Sequence, residues 1–194
     1  MKISEKNELK VHPFKTPKEL EKWLAKNHNI SNGIWLRFFK KDSGEKTITY
    51  NEALDEALCY GWIDGQLKTY DDKSWIRKFT RRSPKSIWSK RNTNHIERLT
   101  ALGKMKPSGL AEVEKAKADG RWTKAYDSPG KMKIPDDFMK ELSKNKNAKT
   151  FFESLNRANK YSIAWRLQTA KKPETREKRI KVILEMLSKG QKFH

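Results

Sequence analysis

The sequence predicts an α+β fold: a small antiparallel sheet with a hairpin packed by helices, followed by a C-terminal all-helical bundle. Three observations carry this. Between Ile34 and Thr80 lie runs rich in β-branched and aromatic residues, broken by turn signals at Asn32-Gly33, Asp42-Ser43-Gly44 and Asp71-Asp72-Lys73. Segments whose apolar residues recur at helical spacing are interleaved with them. After Pro135 only the helical period remains.

In chain order, Thr16-Pro17-Lys18-Glu19 combines a capping box with Pro at the first helical position, and Leu20, Trp23 and Leu24 form one apolar stripe. A helix over residues 17–27 is expected. Asn32-Gly33 then turns the chain into GIWLRFFK, a strand, and a short strand around Thr47–Thr49 is expected after the next turn. Thr49-Tyr50-Asn51-Glu52 is a second capping box; Ala53, Leu54, Ala57 and Leu58 supply the buried stripe of a helix ending near Gly61. WIDGQLKTY and SWIRKFT, joined at Asp71-Asp72-Lys73, read as the two arms of a hairpin.

Ser83-Pro84 reads as the start of the following helix, with Trp88, Asn92, His95, Ile96, Leu99 and Leu102 on its inner face and Gly103 at its end. Pro107 opens another helix through Ala118. Residues 1–126 thus form the expected α+β domain, 127–135 (DSPGKMKIP) a linker, and 136–194 a helical region. In that last region Phe138 and Leu142, Phe151, Phe152 and Leu155, Ile163, Ala164 and Leu167, and finally Ile180, Ile183, Leu184 and Leu187 give the buried stripes.

With 194 residues the chain is long enough for a real core, although only 35% of it is hydrophobic and its mean hydropathy is -0.98. Seven Trp, five Tyr and eight Phe offset that deficit, since each buried ring removes a large apolar area from water. The formal charge of +20 favours solubility and attraction to polyanions. One cysteine, Cys59, excludes an internal disulfide and reads as a small buried hydrophobe; with four His it offers no zinc spacing, so no metal and no cofactor are expected. No apolar run approaches a membrane span or a signal segment, and a cytoplasmic protein without membrane insertion is the expectation.

The densest charge feature is RKFTRRSPKSIWSKR, Arg77 to Arg91, with seven Lys or Arg and no acid. Arginine forks match phosphate and carboxylate, and a helix start adds free N–H groups. Lys68, Arg77, Arg81, Arg82 and Lys85 are therefore the candidate anion-binding residues. On the first hairpin arm Trp62, Asp64, Gln66 and Lys68 alternate onto one face; Trp62, Asp64 and Gln66, with Trp75, Trp88, Asn92 and His95, are the candidate pocket residues. The plainer alternatives are Asp64 in a structural ion pair, Trp88 in the core and His95 as a satisfied core histidine. Neither a Walker motif nor a dinucleotide glycine pattern is present, and no convergent carboxylate pair is visible.

Tyr60-Gly61-Trp62-Ile63-Asp64-Gly65, Lys68, Arg77 with Phe79-Thr80-Arg81-Arg82, Ser86, Trp88-Ser89 and Asn92 resemble the signature of the YdeI/OmpD-associated, or bacteriocin-protection, family. So do Ile134-Pro135-Asp136-Asp137-Phe138, Phe151 to Leu155, Ala170 to Arg176 and Arg179-Ile180. The resemblance runs from about Glu19 to Gly190; the family's usual Pro before the paired arginines is missing here. It implies links to bacteriocin or cationic-peptide tolerance and no catalytic residue. The resulting expectation is a non-enzymatic stress-tolerance protein with an anion-binding corner. Two alternatives stand beside it: a nucleic-acid-binding protein using residues 77–91, and an enzyme on a small phosphorylated or carboxylated substrate using Asp64 or His95 with the arginines. A protein partner on the C-terminal bundle, through Tyr161 or Trp165, is a further expectation.

Overall fold

The computed structural model describes residues 9–193 apart from 129. The fold is α+β, and the chain divides into two compact units. The first takes residues up to Trp88 and Asn92–Lys124; the second takes Ser89–Arg91 and the chain from Ala125.

In the first unit a four-stranded sheet runs in the order β1 (Val11–His12), β2 (Ile34–Phe39), β4 (Ser74–Arg81), β3 (Trp62–Asp71). The hairpin arms β3 and β4 pair antiparallel, as do β2 and β4, but β1 adds to β2 in parallel, Val11 opposite Trp35. The sheet is therefore mixed; a two-residue edge strand carries no period that a sequence could show. Ile34, Leu36, Phe38 and Phe79 are buried on one face. Helices α1 (Pro17–Asn27) and α2 (Tyr50–Cys59) supply the matching apolar stripes, Leu20 and Leu24 on α1 and Ala53, Leu54, Ala57 and Leu58 on α2. Their starts are set locally. Thr16 accepts the Glu19 N–H, and the Thr49 box is complete, with Glu52 returning to the Thr49 N–H at 2.8 Å.

Two expected elements differ. Residues 47–49 form no strand: Ile48 is buried and its N–H donates to the Phe14 carbonyl at 3.0 Å. The helix expected from Ser83 starts at Lys90 instead, as α3 (Lys90–Ala101). Side chains take the groups a helix would need. Ser86 Oγ accepts the Ser83 N–H, Arg82 donates to the Ile87 carbonyl, and Arg121 donates to the Ser86 carbonyl. Trp88 thus precedes α3, and Leu102, expected on its inner face, follows it 58% exposed.

Helix α4 (Pro107–Ala118) meets the end of α2 at van der Waals limits. Gly61, at φ +76°, leaves its missing Cβ position 2.9 Å from the Ser108 carbonyl oxygen, and a Cβ on Gly109 would collide with the Cys59 carbonyl. The Lys106 N–H donates to that same carbonyl at 3.1 Å, closing the junction.

In the second unit α5 (Asp136–Ser143), α6 (Lys146–Ser154), α7 (Arg157–Gln168) and α8 (Pro173–Ser188) enclose a core of Phe138, Leu142, Phe152, Ile163, Leu167, Ile183 and Leu187. Asn145 and Asn156 cap α6 and α7. Arg176 ties the bundle: its fork holds Asp137 and its third nitrogen donates to the Leu167 carbonyl at the end of α7. Trp165, expected as a docking residue, is half-buried and edge-on to Tyr126, 6.1 Å between centroids; Tyr161 is half-buried as well. Among the described residues no helix is long and apolar enough to cross a membrane.

Substituting Gly109→Ala should destabilise the protein by about 3 kcal/mol through overpacking. Gly103→Ala, at φ +65° with open space around it, should cost about 1 kcal/mol. Urea denaturation of the two variants checks the difference. A second expectation concerns acid. Hydrogen bonds from Arg176 hold the Asp137 carboxyl below its usual range, and Lys90 and Gln168 do the same for Asp127. A carboxylate depressed in the folded state stabilises above its ordinary pKa, about 4, and that stabilisation is lost as pH falls. Melting temperatures should therefore drop below about pH 4, and Asp137→Asn should flatten that drop.

Candidate anion-binding site

The hairpin's register decides where its charges stand. Asp64 faces Phe79 and Leu67 faces Arg77, so β3 spends one residue more than β4 over this stretch, a β-bulge at Gly65-Gln66 opposite Lys78. Residues before and after it that share sequence parity fall on opposite faces. Asp64 stays on the helix-covered side. Lys68 moves to the outer side, beside Ile76, and its ammonium sits 5.1 Å from the Trp35 ring centroid. The expected alternation of Trp62, Asp64, Gln66 and Lys68 on one face is thus broken by the bulge, with Gln66 exposed inside it.

Asp64 and Arg77 form a half-buried ion pair at 2.5 Å, with side chains 13% and 25% exposed. The Tyr50 hydroxyl donates to the same carboxylate at 2.8 Å, and the Arg77 guanidinium lies 4.8 Å from the Tyr50 ring centroid. Arg77 Nε is buried and has no hydrogen-bond partner among the described residues. Arg77 is therefore neutralised in place, not presented with Lys68 as one basic edge.

Arg81 and Arg82 stand together elsewhere. Both line a cleft of about 380 Å³ with Tyr60, Gly61, Ser108 and Lys115. Arg81 is exposed; its fork is steadied by the Asn29 carbonyl at 3.1 Å and Asn32 Oδ1 at 3.4 Å. Arg82 is 6% exposed, its guanidinium carbon 3.4 Å from the Trp88 ring centroid. Ser108 Oγ is buried with no hydrogen-bond partner among the described residues. Glu112 lines the same cleft and pairs with Lys115 at 2.7 Å. Lys85 is exposed in the turn after β4 and is not part of the lining. The cleft floor exists because Gly61 and Gly109 let α4 approach so closely, and α4 supplies Ser108, Glu112 and Lys115. Those three had no signal in the sequence, being distant from the hairpin along the chain.

Of the other expected pocket residues, Trp62 is fully buried, its indole N–H donating to the His28 carbonyl at 3.2 Å. Trp75 stacks on Phe38 at 4.3 Å between centroids. Trp88 and Asn92 are buried, Trp88 against Trp122 at 5.1 Å. His95 Nδ1 lies 2.6 Å from Asp55 Oδ1, and Arg98 bonds both oxygens of that carboxylate. Asp55 lies far from the other two along the chain, so the sequence carries only a local trace of this trio, the i, i+3 spacing of His95 and Arg98. Burial pushes the Cys59 thiol up to about 12, so it stays protonated at neutral pH. Among the described residues no group of three or more His, Cys, Asp or Glu stands together as metal ligands would.

Two family models match. Residues 12–112 match a family described as a domain of unknown function (DUF8412), and residues 131–190 match one described as bacteriocin-protection, YdeI or OmpD-associated. The chain belongs to the first family, which spans more than half of it, and carries the domain of the second in its C-terminal helices. The bacteriocin-protection match thus covers the later part of the resemblance; the Tyr60–Asn92 motifs fall in the other family's region. No curated protein and no solved structure matches the chain significantly.

Asp64→Ala should destabilise the protein by about 2 kcal/mol, because it strands the half-buried Arg77 charge. The double variant Asp64→Ala/Arg77→Met should recover most of that loss, as a double-mutant cycle in urea would show.

Proposed function

We propose that this is a non-enzymatic cytoplasmic protein of the bacteriocin-protection kind, acting in stress tolerance by binding an anionic ligand in the Arg81–Arg82 cleft. The observation that carries the reading is the pairing of two arginines, Arg81 and Arg82, on a concave surface whose one acid, Glu112, is already paired with Lys115. Arginine forks bind phosphate or carboxylate through two parallel hydrogen bonds, and the Ser108 hydroxyl adds a short-range donor. A cleft of this size takes a small anion or the anionic end of a larger molecule. The description of the matched C-terminal family supports the tolerance role, and a single buried Cys59 fits a reducing compartment.

The enzyme alternative has less support. Asp64 is committed to Arg77 and Tyr50, and His95 to Asp55, so each would have to give up a structural partner before acting as a base.

Titration with inorganic phosphate, followed by amide chemical shifts, tests the reading. Saturable shifts at Gly61, Arg81 and Ser108 are expected, weakened at least fivefold by Arg81→Ala and unaffected by Lys85→Ala. Shifts that persist unchanged in Arg81→Ala would remove the cleft as the site.

A further inference from the structure

The sheet of the first unit has a second face, opposite the one its helices cover. Helix contacts mark the covered side: Tyr50 of α2 meets Phe38, Trp75 and Arg77, and Trp23 of α1 meets Trp62 edge-on at 5.7 Å. The other face carries Trp35, Arg37 and Phe39 from β2, with Ile76 and Lys78 from β4 in register beside them. The bulge turns Lys68 onto this same face, and Tyr70 reaches it at the far end of β3. Tyr70 is 48% exposed, Lys68 is exposed, and Trp35, Arg37, Phe39 and Lys78 are partly exposed.

We propose that this outer sheet face binds single-stranded nucleic acid, stacking bases on Trp35 and on the Phe39–Tyr70 pair while Lys68 and Lys78 hold the phosphates and Arg37, paired with Asp71, orients the rings. The inference is independent of the Arg81–Arg82 cleft, and the residues 77–91 contribute only Lys78 to it.

The composition of the face argues for this occupant. Aromatic rings alternating with cations on an open sheet are what unpaired bases and their backbone require together: π-faces for any base and positive charge along the path between them. Trp35 and Phe39 are four residues apart on one strand, so the two stacking positions lie about 13 Å apart. A duplex hides its base faces and would leave the rings unused, and an acidic peptide would use the cations alone. The rings already hold cations by their π-faces. Lys68 sits over Trp35, and Arg37 lies between Phe39 and Tyr70 with its guanidinium carbon 4.4 and 4.7 Å from their centroids. Arg37 is fixed there by Asp71 at 2.6 Å and Ser74 at 2.9 Å, so both flanking rings stay oriented. Among the described residues Lys68 has no such tether: its ammonium leaves Trp35 for a phosphate, and a base takes its place on the indole.

The test is fluorescence anisotropy of labelled 12-nucleotide single strands and a duplex of equal length, using the full chain at several salt concentrations. The single strand should bind more tightly than the duplex. Tyr70→Ala should weaken it about tenfold, and Lys68→Glu/Lys78→Glu should reduce the log–log salt slope by about 1.4. All variants are surface changes, and melting curves matching the parent verify their fold. Arg81→Ala should bind the oligonucleotide like the parent, which separates this face from the cleft. The proposal is overturned by absent binding at 50 mM salt, by equal affinity for duplex, by polyglutamate competing as well as the oligonucleotide, or by Arg81→Ala weakening binding as much as Tyr70→Ala.

Discussion

Between Asp64 and Leu67 the first arm of the hairpin carries one residue more than its partner strand, and the side chains of Leu67, Lys68 and Thr69 are turned to the opposite face. Without this bulge Lys68 would share the helix-covered side with Asp64, crowding a second cation against Arg77 where one carboxylate already serves it. With it, Asp64 keeps Arg77 and Tyr50, and Lys68 reaches Trp35 on the outer face. A Cβ at Gly65 would meet the Lys78 carbonyl at an ordinary contact distance of 3.6 Å, so the bulge has room for a side chain there. The inner face can then pack as a core while the outer one stays polar and aromatic.

The second constraint is the junction of α2 and α4. A helix pair normally keeps 8–10 Å between axes; here the backbone of Gly109 lies against the carbonyls of Leu58 and Cys59, which only a residue without a side chain allows. The approach brings Ser108, Glu112 and Lys115 to the strand end that carries Arg81 and Arg82. Packing and site are thus one feature, and a change that loosens the junction opens the cleft as well.

The fold was legible where local chemistry governs. The capping residues Thr16 and Thr49, the turn at Asp71-Asp72-Lys73, and the glycine stop at Gly103 announce elements within a few residues of where they stand. Legibility fails where a distant group overrides the local signal. Ser83-Pro84 has the chemistry of a helix start, but Arg82 and Arg121 claim the carbonyls of the following turn, and Trp88 is held between the Arg82 guanidinium and Trp122. A bulge is equally invisible to a period-two count, so the predicted grouping of Lys68 with Arg77 could not survive pairing. Arg81 and Arg82 do come together, because adjacency in sequence and a shared strand end require no tertiary knowledge.

What holds a cation decides whether its field survives. A carboxylate at contact neutralises it, as Asp127 does Lys90 and Asp137 does Arg176 in the helical unit. A ring face or a carbonyl orients the charge and cancels far less of it. Lys68 over Trp35 and Arg81 on the Asn29 carbonyl are of the second kind. Positive potential should therefore concentrate on the outer sheet face and at the cleft rather than spread evenly over a chain of charge +20. An anion drawn in by that field meets groups already aimed, so it pays little for ordering them, and its attraction should weaken with salt where the charge is exposed.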